Sequence, residues 1–380
     1  MDAGPYILGI ESSCDETSAA VVRRGEELIS NVVASQIATH LPYGGVVPEL
    51  ASREHLKNIV PVVRQAIAES GKKLNEIDAL AVTQGPGLAG ALLVGVSYAK
   101  ALAFALEKPL IAVNHIEGHI HSVLLEERQK GTGDVEFPVL SLVVSGGHTH
   151  LYLATRVGDG WRYENIGHTR DDAAGEAFDK VAKLLGLGYP GGPIIDKLAK
   201  HGDPTAVKFG LVQLKHRDRN DRGHASPDRP RFDFSYSGIK TAVLRYVETH
   251  EMRESVERRR HALGTNPVVE DYLRLCDQPT LDLVASFQRG MVDDLVAKTL
   301  SAAREYDVLT LLVTGGVAAN SELRATFESA GAAEGIRVLF PSRTLSTDNA
   351  AMIAAAAYSK WLSRDFAGSE LAAEANLPLR

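Results

Sequence analysis

The chain has 380 residues, of which 44% are hydrophobic and 23% charged, and its formal net charge at pH 7 is −7. A chain of this length can bury two hydrophobic cores, and its ordinary content of charged residues argues against a disordered or fibrous protein. Proteins that act on nucleic acid are usually basic, so an RNA ligand here would require a local basic patch or a second subunit.

Cysteine content and the amino-terminal sequence bear on the compartment. The two cysteines, Cys14 and Cys276, form neither a disulfide framework nor a cysteine-based zinc site, which fits a reducing setting. Acidic residues follow Met1 almost at once, unlike in a signal peptide. No uninterrupted apolar run reaches the roughly 18 residues that a membrane span needs. We therefore expect a cytoplasmic protein with no membrane segment.

The first predicted elements are two strands, 6–10 and 18–22, joined by the polar loop 11–17. The same design recurs further along, where strand 137–144 and strand 150–154 flank a short polar loop. Two strand–loop–strand openings in one chain predict two related lobes.

The segment between the two openings alternates helix and strand. Apolar residues at helical spacing predict a helix over 55–70, with Pro61 marking either its start or a kink. Strands at 79–83 and 109–113 flank a helix of small residues at 90–106. This alternation is typical of an α/β fold.

The second half continues in the same way. The pattern predicts a helix over 173–185, a loop over 186–193, a helix over 281–300, a strand over 308–314 and a helix from about 321. An alanine-rich segment, 350–358, is predicted to be a buried helix with Asp348 and Asn349 at its N-cap.

Two charged segments, 208–231 and 248–280, are predicted to be surface insertions. The first has seven Lys or Arg residues against three Asp, and the second contains the run Arg258–Arg260. They are either solvated loops or contacts to RNA phosphates, where basic side chains gain affinity by releasing counterions.

Two histidines one helical turn apart form the strongest local signal. In the motif NHIEGH at 114–119, His115 and His119 have the spacing that places two imidazoles on one helix face. Glu117 does not directly follow His115, so this is not the His-Glu-x-x-His motif of zinc proteases. The pair predicts either ordinary helix histidines or two ligands of one metal. Asp348, in a loop that enters a helix, is a candidate for a further, carboxylate ligand.

Two glycine pairs follow predicted strands. SGGHT at 145–149 comes after strand 137–144, and GGVAAN at 315–320 comes after strand 308–314. Each is either a tight turn or a place where backbone N–H groups approach an anion closely. Together, in an α/β chain, they favour a nucleotide site beside the helix that begins at about 321.

Acidic residues concentrate at 171–180 and in the loop 11–17. An acidic helix start is favoured by the helix dipole, but Asp179 can also accept hydrogen bonds from a hydroxyl or an amine. In the loop, Glu11 and Asp15 are either part of a polar turn or ligands for substrate hydroxyls, an ammonium group or hydrated Mg²⁺.

Taken in order, these motifs resemble those of the bacterial tRNA threonylcarbamoyladenosine synthase catalytic subunits, a family once labelled O-sialoglycoprotein endopeptidases. The resemblance covers roughly residues 6–360. The motifs that carry it are GIESSCDET at 9–17, PELASR at 48–53, GPG at 85–87, NHIEGH at 114–119, VSGGHT at 144–149, DDAAGEAFDK at 171–180, YPGGP at 189–193, FSYSGIK at 234–240 and GGVAAN at 315–320.

The resemblance implies an α/β, actin/sugar-kinase-like ATPase fold of two related lobes with a central nucleotide cleft. We expect an N-terminal lobe at 1–133 and a C-terminal lobe at 134–345, the latter carrying the insertions near 208–231 and 248–280. A helical segment at 346–380 is expected to return toward the N-terminal lobe.

The resemblance also implies a reaction and a site. The activity would be transfer of the threonylcarbamoyl group from threonylcarbamoyl-AMP to N6 of adenosine 37 in tRNAs that read ANN codons. One divalent metal, usually iron and sometimes zinc, would be held by His115, His119 and Asp348. The implied substrate contacts are Val143, Val144, Ser145, Gly146 and Gly147 along the donor, Asp179, Gly192 and Asp196 at its nucleotide sugar, and Asn320 at its adenine.

The implied partners are tRNA, an inactive actin-like paralogous subunit, a small P-loop ATPase and a separate threonylcarbamoyl-AMP synthase. ATP or ADP with Mg²⁺ would enter through that complex. No general base is identified, and Glu11 and Asp15 are the candidates for a catalytic role.

The chain departs from the family pattern in three places. His168 stands where the family often has Glu, His150 stands where it often has Gln, and the segment 248–280 is longer than expected. Two alternative functions stay open from the residues alone. One is a metalloprotease built on the histidine pair, and the other is a small-molecule kinase of the same fold.

Overall fold

A computed structural model of the chain describes residues 4–132, 135–158, 160–209, 232–264 and 267–380. Within these ranges, ten strands form two five-stranded sheets. The first sheet has the order β3-β2-β1-β4-β5, with β1 Tyr6–Glu11, β2 Glu16–Arg23, β3 Glu27–Ser35, β4 Ala79–Gly85 and β5 Leu110–Asn114. The second has the order β8-β7-β6-β9-β10, with β6 Val139–Val144, β7 Thr149–Val157, β8 Gly160–His168, β9 Thr310–Thr314 and β10 Arg337–Leu339.

The described residues also form thirteen α-helices. They are α1 Ile37–His40, α2 Pro48–Ser70, α3 Ala89–Leu106, α4 His115–Lys130, α5 Ala174–Leu184, α6 Gly191–Leu198, α7 Ser237–Thr249, α8 Arg253–Ala262, α9 Val269–Leu275, α10 Gln278–Glu305, α11 Ser321–Ala333, α12 Arg343–Ser346 and α13 Ala350–Ser363.

The two sheets repeat one topology. In each, the first strand pairs antiparallel with the second and parallel with the fourth, as β1 does with β2 and β4, and β6 with β7 and β9. This repetition confirms the two related lobes that the strand–loop–strand openings predicted. The third strands, β3 and β8, were not predicted, because both mix exposed polar residues with apolar ones and do not alternate strictly.

Each sheet is covered by the helix that follows the other sheet. α4 comes directly after β5, yet its apolar residues Ile116 and Ile120 join a core cluster with β6, β7 and β9. α13 comes after β10, and its alanines pack against β1, β2, β4 and β5 of the first sheet. The two helices cross at Gly118, where a Cβ would lie 2.8 Å from Ile353 Cδ1.

Several predicted boundaries needed correction. α2 begins at Pro48, and Pro61 lies inside it on an exposed position, so a start at Pro61 was wrong. The predicted loop 186–193 ends early, because α6 already begins at Gly191.

The charged segment 248–280 is not a loop. It contains α8 and α9, and within it Arg259 is fully buried while its neighbours Arg258 and Arg260 are exposed. The Arg259 guanidinium donates to Leu185 O at 2.9 Å, which ties α8 to the end of α5. Of the other predicted insertion, 208–231, residues 210–231 lie outside the described residues.

α3 is the one described helix that is long and apolar enough, by length and composition, to cross a membrane; its mean hydropathy is 1.7. One face of α3 belongs to the core of the first lobe, where Val96, Ala99 and Ala103 pack with residues of α2 and β4. The opposite face exposes Leu93 and Phe104, which are 58% and 88% accessible.

Gly9 in β1 sets how closely α13 can approach the first sheet. A Cβ at Gly9 would lie 2.3 Å from Ala350 O and 3.0 Å from Ala354 N. Gly9→Ala is therefore expected to lower the free energy of unfolding by about 1–3 kcal/mol, the usual cost of overpacking. Urea denaturation measures this. Gly264→Ala, where a Cβ meets nothing within 4 Å, is the control, and equal effects of both variants would contradict the close contact.

Candidate metal centre and substrate cleft

The histidine pair lies where α4 begins. Asn114, the last residue of β5, caps the helix by accepting from the backbone N–H of Ile116 at 2.9 Å. His115 and His119 then follow on one face, 3% and 0% accessible. The cap and the buried strand before it fix the point at which the helix starts, and with it the position of both imidazoles.

Asp348 reaches the same point from the other end of the chain. It precedes Asn349, the N-cap of α13, whose side chain accepts from Met352 N at 3.1 Å. Asp348 Oδ1 lies 3.1 Å from His119 Nε2 and 3.6 Å from His115 Nε2. One ligand atom from each of these three residues lies within 4.8 Å of the others. The structure therefore brings together the three predicted metal ligands.

The chemistry of this group fits a divalent metal. Both ring nitrogens of His119 are buried without a hydrogen-bond partner, although Nε2 lies 3.1 Å from the carboxylate of Asp348. Buried polar atoms are nearly always partnered in folded proteins. Two imidazoles and a carboxylate converging on one point are a common donor set for zinc or iron, and they leave positions open for substrate.

Glu11 orients His115 by contacting Nδ1, the ring nitrogen that does not face Asp348. Its Oε2 lies 3.1 Å from His115 Nδ1 and accepts from Thr83 Oγ1 at 2.7 Å, and its Oε1 accepts from the backbone N–H of Ser13. A carboxylate that accepts the second ring N–H of a metal-ligating histidine fixes the tautomer and raises the basicity of the ligand. The carboxylate of Glu11 is fully buried and engaged by these contacts.

The electrostatics of the centre favour a bound cation. Burial alone would lower the pKa of His115, but the carboxylates of Asp348 and Glu11 outweigh burial and raise that pKa to about 9. Burial alone would raise the pKa of Asp348, but His115 and His119 hold it below its ordinary value. A proton on His115 and a metal ion would compete for the same negative charges, so metal binding would displace that proton.

The glycine loop after β6 borders this centre. Val143, Val144 and Ser145 are buried, whereas Gly146 and Gly147 are exposed, and a Cβ at either would meet nothing within 4 Å. The His148 ring at the end of the loop lies 5.7 Å from the His115 ring, centroid to centroid. The loop therefore leaves room for a ligand next to the histidines.

Asp179 ties α5 to α6. Its Oδ1 accepts from the backbone N–H of Gly191 at 2.7 Å. Burial raises the pKa of Asp179 to about 6, although the backbone N–H groups of Gly191 and Gly192 partly offset this. A Cβ at Gly192 would meet nothing within 4 Å, so the first turn of α6 is open to a ligand.

Asp196 of α6 contacts the start of α11, where Asn320 is the N-cap. Asp196 Oδ1 accepts from the backbone N–H of Ser321 at 3.0 Å and from its hydroxyl at 2.7 Å. Asn320 caps the helix and donates to Gln288 Oε1 at 2.7 Å. The structure thus connects the predicted nucleotide residues in one sequence of contacts, from α5 through α6 to α11.

Asp15 faces this group from the first lobe. Its charge contributes to the raised pKa of Asp179, and the raised pKa of Glu16 arises from burial and from Asp15 in turn. Asp15 of the β1–β2 loop and Asp179 of α5 therefore interact electrostatically.

Sequence reasoning missed two parts of the site. Ser13 Oγ lies 3.1 Å from His115 Nδ1, a contact between residues more than a hundred positions apart that no local pattern reveals. The rings of His148, His150 and His168 form a row away from the metal centre, with consecutive centroids 5.7 and 6.2 Å apart. Two of these three, His150 and His168, are positions at which the chain departs from the family pattern. They lie opposite each other in the pairing of β7 with β8.

The sequence profile of the tRNA N6-adenosine threonylcarbamoyltransferase family matches residues 27–355. The chain belongs to this family. It is 69% identical over 380 residues to the tRNA N6-adenosine threonylcarbamoyltransferase of Koribacter versatilis (strain Ellin345), with all of both chains covered. It is 49% identical over 374 residues to the protein of that name from Moorella thermoacetica (strain ATCC 39073 / JCM 9320), covering 98% of this chain and 97% of the relative.

Solved structures share the fold of this family member. A full-length HypF in its phosphate- and nucleotide-bound form superposes with a TM-score of 0.56 at 12% identity, over 96% of this chain and 47% of HypF. Component A of the Acidaminococcus fermentans (R)-2-hydroxyglutaryl-CoA dehydratase superposes with a TM-score of 0.50 at 12% identity, over 94% of this chain and 99% of that protein. The predicted two-lobed, actin/sugar-kinase-like fold is confirmed.

The metal centre is tested by binding. We expect the wild-type chain to bind one equivalent of Zn²⁺ and to release a proton as it does so at pH 7, because His115 is protonated in the metal-free protein. His119→Ala removes a ligand and should abolish this binding, and Glu11→Gln should weaken it about 10–100-fold. Isothermal titration in two buffers of different ionisation enthalpy measures the zinc affinity and the number of protons released.

His121→Ala is the matched control for this titration. His121 lies on the same helix, but its Nε2 contacts Tyr163 and it is not one of the converging ligands. Zinc stoichiometry that is unchanged in His119→Ala, or lost equally in His121→Ala, would contradict the assignment.

The raised pKa of Asp179 predicts a pH effect on stability. The folded chain holds this proton up to about pH 6, whereas the ordinary value is 3.8. The favourable contribution is complete below about pH 4 and is lost as pH rises through about 6. Urea unfolding of wild type and Asp179→Asn from pH 4 to 7 should show the wild type losing stability relative to the variant. A constant difference would mean that Asp179 has an ordinary pKa.

Proposed function

We propose that the chain transfers the threonylcarbamoyl group from threonylcarbamoyl-AMP to N6 of adenosine 37 in tRNAs that read ANN codons, forming N6-threonylcarbamoyladenosine. The observation that carries this proposal is the 69% identity, over all 380 residues, to a tRNA N6-adenosine threonylcarbamoyltransferase. The converging His115, His119 and Asp348 beside an open glycine loop supply a site where such chemistry can occur.

The donor is proposed to lie across the cleft. Its acyl end would lie at the metal centre against the exposed backbone of Gly146 and Gly147. Its ribose would contact Asp179, Gly192 and Asp196, and its adenine would lie near Asn320. Val143 and Val144 have fully buried side chains, so we assign the contact with the donor to the loop that follows them.

One divalent metal, Fe²⁺ or Zn²⁺, held by His115, His119 and Asp348, would supply Lewis-acid polarisation of a donor oxygen. The chain's own groups contribute the rest. Backbone N–H groups of the exposed glycine loop would donate to an oxygen that gains negative charge. The leaving AMP carries its charge on phosphate, so no strong protein acid is required. The adenine amine is a weak nucleophile, so the cleft contributes mainly by holding it in position.

The two candidates for a catalytic residue differ in their surroundings. Glu11 is fully buried, and its carboxylate is engaged by Thr83, Ser13 and His115. We therefore assign Glu11 an orienting role toward His115 instead of a proton-transfer role. Asp15 is half-buried in the β1–β2 loop and stays the candidate for a contact with substrate, and we assign no general base.

The partners are proposed to include an inactive actin-like subunit. α2 and α3 together expose apolar side chains, with Leu56 66%, Leu93 58% and Phe104 88% accessible. Large exposed apolar side chains on packed neighbouring helices are compatible with a protein partner on this side of the first lobe. A P-loop ATPase, a separate enzyme that makes threonylcarbamoyl-AMP, and tRNA complete the proposed system, which we place in the cytoplasm.

Reconstitution tests this function. The purified chain is incubated with the partner subunits, tRNA, threonine, bicarbonate and ATP, and the digested tRNA is analysed for threonylcarbamoyladenosine by mass. We expect product with wild type and with His121→Ala, and a loss of at least about 100-fold in His115→Ala/His119→Ala, because the metal and its charge are removed. Product in the double variant would overturn the metal assignment, and its absence in wild type would overturn the transferase function.

A further inference from the structure

The residues after α13 form a strap across the first lobe. Residues 365–380, here called the strap, start at β5, where Ala367 N donates to Leu110 O at 2.7 Å. They continue past α3, where Lys100 Nζ donates to Leu371 O at 3.0 Å. The strap then reaches the carboxyl end of β4, where Glu374 N donates to Gln84 O at 2.9 Å.

The end of the strap contacts the helix that carries the histidines. Asn114 donates through Nδ2 to Leu377 O at 3.3 Å while its Oδ1 caps α4. Leu379 is 8% accessible and belongs to the same core cluster as Ile116 and Ile120 of α4. One side chain, Asn114, therefore joins the strap to the residue immediately before His115.

A second set of contacts leads from the strap to the same imidazole. Gly87 N donates to Ala375 O at 3.1 Å, and the next residue, Leu88, donates from its N–H to Ser13 O at 2.8 Å. Ser13 Oγ in turn lies 3.1 Å from His115 Nδ1. The strap thus supports His115 from the helix cap on one side and from the Ser13 loop on the other.

We propose that the strap is a positioning element of the metal centre, acting on His115 through Asn114 and through the loop at Gly87. The proposal rests on the proposed function, because it takes the metal centre as the group being positioned. Metal affinity depends on how well the surrounding contacts hold the ligands, and losing such a contact commonly costs 10–100-fold. Binding and positioning are linked, so a bound metal must stabilise the strap by the same factor.

Three variants test this in the 380-residue chain. Removal of residues 376–380 deletes Leu377 and Leu379. Asn114→Ser keeps a capping oxygen and removes the donor to Leu377 O. Removal of Arg380 alone, which is exposed, is the control. We expect about a 10-fold loss of Zn²⁺ affinity in the first two, measured by competition with a chromophoric chelator, and no loss in the control.

Two further readouts separate positioning from general damage. In the chain that already lacks 376–380, Asn114→Ser should cost little additional Zn²⁺ affinity, because both changes remove the same contact between Asn114 and Leu377. Zn²⁺ should also slow amide hydrogen exchange in the strap of wild type and not in His119→Ala. Full additivity, or wild-type affinity in both strap variants, would overturn the proposal.

The outcomes distinguish this proposal from the function on which it rests. If wild type binds no metal, the proposed metal chemistry fails. Amide hydrogen exchange at residues 115–120 of the metal-free protein then tests whether the strap positions His115. Exchange there that is unchanged by removing 376–380 would overturn the positioning. If wild type binds metal and modifies tRNA while the strap variants keep wild-type zinc affinity, the function stands and only the strap proposal fails.

Discussion

The exchange of helices between the two sheets is the constraint on which the site depends. α4 follows the first sheet and packs on the second, and α13 follows the second and packs on the first. The two helices therefore cross, and their amino ends meet at the cleft. His115 begins one of them and Asp348 lies two residues before the other. More than two hundred residues separate these two proposed metal ligands in sequence, and the topology brings them within 3.6 Å of each other.

The crossing leaves α4 little exposure to solvent, and the sequence of its first turns reflects this. Gly118 lets α13 pack closely against α4, since a Cβ there would collide with Ile353. Thr314, at the end of β9, donates to His119 O at 2.9 Å and attaches the helix to the second sheet. The motif between the histidines thus serves packing as well as the proposed metal ligation. Rigid support of this kind is what a metal centre requires, because its ligands cannot drift without loss of affinity.

Burying Glu11, His115 and Asp348 together is costly unless their charges are balanced. Two carboxylates desolvated in one place repel each other, and the raised pKa of His115 shows how strongly they attract a positive charge. A proton on His115 offsets this repulsion in part, and a divalent cation bound there would offset more of it. The same charge, brought next to the exposed glycine loop, is what a transfer to a weak amine nucleophile would use.

The sequence predicted local structure better than global contacts. β1, β2 and the cap of α13 were predictable because apolar runs and an Asn N-cap are local signals. The helical spacing of His115 and His119 was visible too, and Asp348 was one candidate for a carboxylate ligand, but only the family resemblance selected it as their partner. β3 and β8 carry polar residues on both faces, and α8 hides a buried Arg259 within a charged run, so hydrophobic periodicity fails there. The contact of Ser13 with His115 depends on how β1 and β5 flank β4, which no short pattern encodes.

The most direct measurement of the central claim is an anomalous difference map at the zinc absorption edge, from crystals grown with Zn²⁺. We predict one strong peak where the amino ends of α4 and α13 meet, about 2.0–2.2 Å from a ring nitrogen of His115, a ring nitrogen of His119 and an oxygen of Asp348. A peak held instead by Asp15 and Glu16, or the absence of a peak at the histidines, would contradict it.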